Sequence, residues 1–215
     1  MKIGVIFDLD GTLLDTLDDL TDGVNYALDQ FNCPLRDREY IRRAIGNGVR
    51  KLIERSLPGK ADDPDTDEVL ALYKQYYQAH CQVKTKPYAG IPEMLEKLTV
   101  PVAIVSNKQD EAVKQLCRDF FPGVYALGEV VGCPRKPAPD MLYKAMQELH
   151  MDGCIYVGDS EVDVTTSSNA NVPCISVLWG FRDEEQLIAA GAKHLCDDPA
   201  KMPDIIKEIM ETYGK

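Results

Sequence analysis

The sequence has no CxxC pair, no Cys/His grouping at zinc-ligand spacing and no run of 18 apolar residues, which excludes zinc modules and long membrane-spanning helices. Histidine is scarce, and His80, His150 and His194 form no metal-ligand spacing. Positive charge is also short: 24 Lys and Arg stand against 35 Asp and Glu, and the net charge of -11 repels a nucleic-acid backbone. No nucleic-acid partner is expected. A small anionic ligand meets the same repulsion, so a phosphate site needs locally concentrated cations or a metal ion. The seven cysteines are odd in number and unpaired in pattern, and read as small reduced core residues. Met1-Lys2 runs straight into a strand-like segment with no signal-peptide pattern, and the cytoplasm is the expected location.

What is present is globular. The 215 residues are 45% hydrophobic and 27% charged, enough for one domain with a large insertion or for two small ones. Short apolar runs at 3–7, 102–105, 155–157 and 175–178 are each followed by a helical pattern. Strands apolar on both faces and separated by amphipathic segments predict an α/β, Rossmann-like parallel sheet covered by helices. Helix starts are marked by Pro92, Asp110 and Pro139. Between residues 15 and 86 the alternation stops, and Leu17, Leu20, Val24 and Leu28, then Val49, Leu52 and Ile53, then Val69, Tyr73, Tyr76 and Tyr77 recur at helical spacing. The polar stretch 59–65 separates two of these helices. The expected organisation is an α/β core of residues 1–14 and 87–215 with an all-helical insertion of residues 15–86; the tyrosines read as packing residues.

The first strand ends in Phe7-Asp8-Leu9-Asp10-Gly11-Thr12, and alternation sends Asp8 and Asp10 to one side at the C-terminal edge of a parallel sheet. Two carboxylates so close repel unless a cation lies between them; a turn built from Asp and Gly is the other reading. A second pair, Asp159 and Asp163, follows the strand 155–157, with Asp159 open to being a helix cap only. If the two strands are neighbours, four carboxylates converge, and Mg²⁺ is the expected resident. Ser106-Asn107-Lys108 follows the strand 102–105 with a hydroxyl, an amide and free N–H groups suited to phosphate, or to an ordinary turn. Arg135-Lys136-Pro137-Ala138-Pro139 holds a lysine on a proline-stiffened loop, a point charge for a phosphoryl group unless it is merely solvated. In the insertion, Gly46-Asn47-Gly48-Val49-Arg50-Lys51 places flexible backbone and two cations at a helix start, so Gly48 and Arg50 are candidates for holding a second anionic group; a connecting turn is the alternative.

DLDGTL, SNK, RKPAPD and GDSEVD, in that order and each at a strand end or helix start, resemble the haloacid dehalogenase superfamily of phosphohydrolases over the whole α/β core, with the insertion in the position of that family's cap. The Gly46-Asn47-Gly48 turn and the tail Leu178-Trp179-Gly180-Phe181-Arg182-Asp183 are similar to its phosphoglycolate phosphatase group. The resemblance implies that Asp8 is a nucleophile forming an aspartyl phosphate and Asp10 the general acid and base. It implies that Ser106 and Lys136 hold the phosphoryl group, with Thr12 and Asn107 on the substrate. Asp8, the Asp10 carbonyl and Asp159 would bind Mg²⁺, with Asp163 ligating or supporting. The linkers near 14–15 and 87–90 would act as hinges of the cap. The expected substrate is a small phosphomonoester, 2-phosphoglycolate first, and the expected state a monomer or homodimer. A sugar phosphomutase, pyrophosphatase, nucleotidase or non-catalytic phospholigand binder uses the same framework; Thr12 favours the phosphatase version over the mutase, and Asp10 argues against a dehalogenase.

Overall fold

The computed structural model describes residues 1–59 and 64–213. Strand β1 (Ile3–Phe7) opens the chain and β2 (Leu14–Asp15) follows it. Helices α1 (Leu17–Gln30), α2 (Arg38–Ala44), α3 (Val49–Ser56) and α4 (Thr66–His80) precede β3 (Lys86–Pro87). From there strands and helices alternate: α5 (Ile91–Lys97), β4 (Val102–Gln109), α6 (Asp110–Phe120), β5 (Tyr125–Glu129), α7 (Asp140–Glu148), β6 (Gly153–Gly158), α8 (Glu161–Ala170), β7 (Cys174–Val177), α9 (Glu184–Ala189), β8 (His194–Cys196) and α10 (Met202–Tyr213). The polar stretch expected at 59–65 lies partly outside the described residues.

Six strands form one parallel sheet in the order β5-β4-β1-β6-β7-β8. Both faces are buried, as unbroken apolar strands require. Along β1, Val5 and Phe7 join the larger core cluster while Ile6 joins the second one on the opposite face; Ile155 and Val157 alternate with Tyr156 in the same way on β6. The α/β sheet expected from the sequence is what the chain forms. The chain leaves β1 in both directions, so a crevice opens at the C-terminal ends of β1, β4 and β6, where open α/β sheets bind ligands.

Between β2 and β3 the chain is helical, with α1 packed on α4 and α2 and α3 closing the group. It exits and returns through an antiparallel pair, Leu14 opposite Pro87 and Asp15 opposite Lys86. Buried Asp19 on α1 ties that return by accepting from the Lys84 N–H (3.0 Å) and the Thr85 N–H (2.8 Å). Helix α2 and strands β5 and β8 escaped the sequence reading because each is short and half exposed: α2 buries only Ile41 and Ala44, and β8 is three residues at a sheet edge. Strand β4 runs on through Ser106-Asn107-Lys108, which the sequence suggested as a loop, with its register to β5 shifting between Val105 and Gln109. Cys81, Cys117, Cys133, Cys154, Cys174 and Cys196 are free thiols. Among the described residues no helix is long and apolar enough to cross a membrane.

Candidate active site

The sheet register decides which chain ends meet. Phe7 pairs with Ile104 on one side and Val157 on the other, so Asp8 and Asp159, just past the ends of β1 and β6, come to nearly the level of Ser106 within β4. Asp159 is followed by Ser160, the N-cap of α8, and Asp163 closes a capping box at the third helical position. Carboxylate oxygens of Asp8, Asp159 and Asp163 then lie within 4.8 Å of one another, all three residues buried. Two glycines permit this crowding. Gly11, at φ +79°, would place a Cβ 2.3 Å from Asp159 Oδ2, and Gly158 would place one 2.3 Å from Asp163 Cγ, so neither position accepts a side chain without displacing a carboxylate.

Lys136 is the counter-charge. Its buried ammonium donates to Asp8 Oδ1 (2.9 Å), Asp163 Oδ1 (2.8 Å) and the Tyr156 hydroxyl (2.9 Å), and that hydroxyl donates to Asp163 Oδ1 (2.8 Å). Asp163 Oδ2 accepts from the Ser160 N–H (3.1 Å) and hydroxyl (2.6 Å). Burial alone pushes the Asp163 carboxyl up, but the Lys136 charge and these hydrogen bonds outweigh it and hold the group below the usual range. Burial also pushes Asp8 up, to about 7, because Lys136 only partly offsets burial and the neighbouring Asp163 and Asp10 charges. Asp159 is raised well above its ordinary value by burial and by Asp163 and Asp8, despite a 2.7 Å bond from the Phe181 N–H. Three buried carboxylates against one ammonium leave negative charge uncompensated. A hard cation with oxygen ligands relieves that imbalance, and the donor set fits Mg²⁺.

Asp10 is held separately. Its Oδ1 accepts from the Thr16 hydroxyl (2.7 Å) and from the Lys108 ammonium (2.7 Å), leaving Oδ2 with no protein partner among the described residues. Lys108 lies 4.7 Å from the centre of the Tyr77 ring. A cavity of about 60 Å³, a few waters' worth of space, is walled by Asp8, Asp10, Ser106, Asn107, Lys108, Lys136 and Asp159 from the sheet side and by Gly46, Gly48, Val49, Leu52, Tyr73 and Tyr77 from the helical side.

Several sequence expectations find a different place. Arg50 is not in the cavity wall; it is half exposed and paired with Asp67, because α3 turns its polar face outward. The turn does contribute Gly48. Thr12 also stands outside the wall, its hydroxyl 3.4 Å from Asp159 Oδ1 and its carbonyl accepting from the Trp179 indole (2.9 Å). Asp163 is behind the wall, both oxygens taken. Asn107 bridges the two sides, its amide donating to the Lys136 carbonyl (2.9 Å) and the Gly46 carbonyl (3.2 Å).

The sequence reading gave no role to the side chains of Tyr156, Lys108 and Arg182, although the last two stand within motifs it singled out. A hydroxyl-bearing residue in an otherwise apolar buried strand was the available signal for Tyr156. Arg182 donates to Glu161 (2.7 Å) and to the Arg42 and Ile45 carbonyls (3.1 and 2.7 Å) at the end of α2, while Arg42 donates back to the Phe181 carbonyl and Asp183. This reciprocal pair joins the loop after β7 to the helical insertion, a long-range contact with no local signature.

Comparison with known proteins gives a consistent picture. Residues 5–177 match the model of the haloacid dehalogenase-like hydrolases. A phosphoglycolate phosphatase of Pseudomonas aeruginosa is 33% identical over 82% of this chain and 70% of its own length. An N-acetylmuramic acid 6-phosphate phosphatase of the same organism is 27% identical over 94% and 93%. A crystal structure from Lactobacillus delbrueckii subsp. bulgaricus, provisionally assigned as a phosphoglycolate phosphatase, superimposes with a TM-score of 0.87 at 36% identity, covering 94% of this chain and 97% of that one.

Proposed function

The chain belongs to the haloacid dehalogenase-like hydrolases and is a phosphatase of that family, and we propose that it hydrolyses 2-phosphoglycolate, in a Mg²⁺-dependent reaction, through a phosphoryl group carried on Asp8. The observation that carries this reading is the meeting of Asp8, Asp10 and Asp159, at the ends of the adjacent parallel strands β1 and β6, with Lys136 from the loop between β5 and α7, around a small cavity. The names of the relatives support the substrate.

Asp8 Oδ1 is engaged by the Leu9 N–H (2.7 Å) and Lys136, which orients the carboxylate. In this reading an Asp8 oxygen forms a bond to phosphorus as the bond from phosphorus to the ester oxygen breaks. Asp10 gives a proton to the departing alkoxide, and afterwards takes one from the water that attacks phosphorus and frees Asp8 and phosphate. Ser106 holds a phosphoryl oxygen, and Lys136, whose donors are taken by Asp8, Asp163 and Tyr156, neutralises the phosphoryl charge from beside it. Asp8, the Asp10 carbonyl and Asp159 would hold Mg²⁺, with Asp163 positioning Lys136 and Ser160 from behind. The ion, when bound, supplies charge neutralisation at phosphorus. We assign residues 1–14 and 87–215 to a catalytic core and 15–86 to a cap that closes over it at the β2–β3 pair, excluding water during transfer.

The direct test is phosphate release with Mg²⁺ from 2-phosphoglycolate, N-acetylmuramic acid 6-phosphate, sugar phosphates, pyrophosphate and nucleotides. The expected result is a preference for 2-phosphoglycolate of at least about 100-fold in kcat/KM, lost with chelator. A higher value for another ester would replace the substrate and keep the phosphatase.

The raised carboxyls also set a pH dependence. Asp8 and Asp159 bind more protons folded than unfolded, so without metal the stability they allow falls as pH rises from the ordinary carboxylate range through about 7. Mg²⁺ competes with those protons. The expected outcome is a Mg²⁺-induced rise in Tm that is larger at pH 8 than at pH 5. An equal rise at both, by calorimetry, would place the ion elsewhere.

A further inference from the structure

Three cations line the cavity, and their donors are not equally committed. Lys136 spends all three ammonium hydrogens on Asp8, Asp163 and Tyr156. Arg182 spends its guanidinium on Glu161 and the Arg42 and Ile45 carbonyls. The Lys108 ammonium makes one hydrogen bond, to Asp10 Oδ1, and its two other hydrogens have no hydrogen-bond partner among the described residues. It is nevertheless buried, 9% exposed, so water does not serve it freely. Around it are two further unsatisfied buried polar atoms on cavity-lining residues, the Tyr77 hydroxyl and Asn107 Oδ1. A buried cation with spare donors beside unpaired polar atoms describes a place for a ligand's second polar group.

We infer that Lys108 is the specificity residue of this site and receives a carboxylate carried on the carbon next to the ester oxygen. The inference rests on the phosphatase reading and adds the group that selects the substrate. The length follows from Asp10. One carboxylate spans the gap between Lys108, bonded to Oδ1, and the leaving oxygen, to which Oδ2 is free to give its proton. A substrate carboxylate attached one carbon from that oxygen falls within reach of the same ammonium; one attached a carbon further out does not lie at the same point. The Tyr77 face at 4.7 Å keeps the ammonium desolvated and so strengthens its hold on an anion. The role sought in the sequence at Arg50 is thereby transferred to the sheet side of the cavity.

The experiment compares three esters, 2-phosphoglycolate, ethyl phosphate and 3-phosphoglycerate, in the wild type, Lys108→Met and Lys108→Arg, each checked for folding by its Tm. In the wild type, 2-phosphoglycolate leads both others. Lys108→Met lowers the ratio of kcat/KM for 2-phosphoglycolate over ethyl phosphate by roughly 10- to 100-fold, mostly through KM, and Lys108→Arg retains part of the preference. Any loss shared by both esters reports the contact with Asp10 and cancels in the ratio. An unchanged ratio in a folded Lys108→Met protein overturns the assignment while leaving the phosphatase intact. If Lys108→Met does not fold, Lys108→Gln takes its place with the same fall in the ratio expected, and an unchanged ratio in that folded variant overturns the assignment. A wild type that releases phosphate from none of the three but does so from another ester of the panel overturns this inference and keeps the phosphatase, whereas release from no ester at all overturns both.

Discussion

Asp8→Asn is expected to lower phosphate release by roughly 10⁴-fold or more while leaving the protein folded, with a Tm within a few degrees of the wild type. The amide keeps an oxygen where Oδ1 now accepts from the Leu9 N–H and Lys136, so the local hydrogen bonds survive. It also removes one of three crowded buried carboxylates, the one that burial and its neighbours raise to about 7. What is lost is the negative charge and the nucleophilic oxygen. A residual rate within tenfold of the wild type would end the covalent mechanism, whatever the substrate. Labelling with a ³²P-bearing ester provides a second readout, because trapped label is expected on the wild type and absent from the variant.

Lys136→Met is expected to abolish turnover and, unlike Asp8→Asn, to destabilise the protein strongly. The ammonium is 3% exposed and makes three hydrogen bonds, two of them to carboxylates. Removing one partner of a buried charge cluster costs about 3–5 kcal/mol, because the remaining charges stay buried without compensation. At roughly 2–4 °C per kcal/mol for a chain of this size, the Tm should fall by about 6–20 °C. The deficit should shrink at low pH, where Asp8 and Asp159 take up protons, and shrink at neutral pH with Mg²⁺, which supplies charge in place of the ammonium. A Tm within two degrees of the wild type at pH 8 without metal would show that Lys136 is not the counter-charge.

The carboxylates were legible because their signals are local. Asp8 and Asp10 follow an apolar β-branched run, Asp159 follows another, and each run reads as a strand whose C-terminal end faces the crevice. Ser106 and Lys136 were legible through the same punctuation. Arg50 misled because charge at a helix start was the only signal, and the direction in which α3 turns that side chain depends on α4, which brings Asp67 beside it. Tyr156 and Lys108 stayed hidden for the opposite reason. Their partners lie 7 and 98 residues away in sequence, and contact follows from strand register and from the packing of Tyr77 over the cavity.

Sequence alone determined the α/β class, the helical interruption after the first strand, and the acidic and cationic groups available at the strand ends, since periodicity, caps and turn residues act over a few positions. Tertiary structure decided how those groups divide their bonds. It put Asp163 behind the wall with both oxygens occupied, filled Lys136 and Arg182, and left Lys108 with donors to spare. That division depends on a six-stranded register and on the helical insertion packed over the strand ends, and hydrogen-bond capacity is settled only when every neighbour is in place.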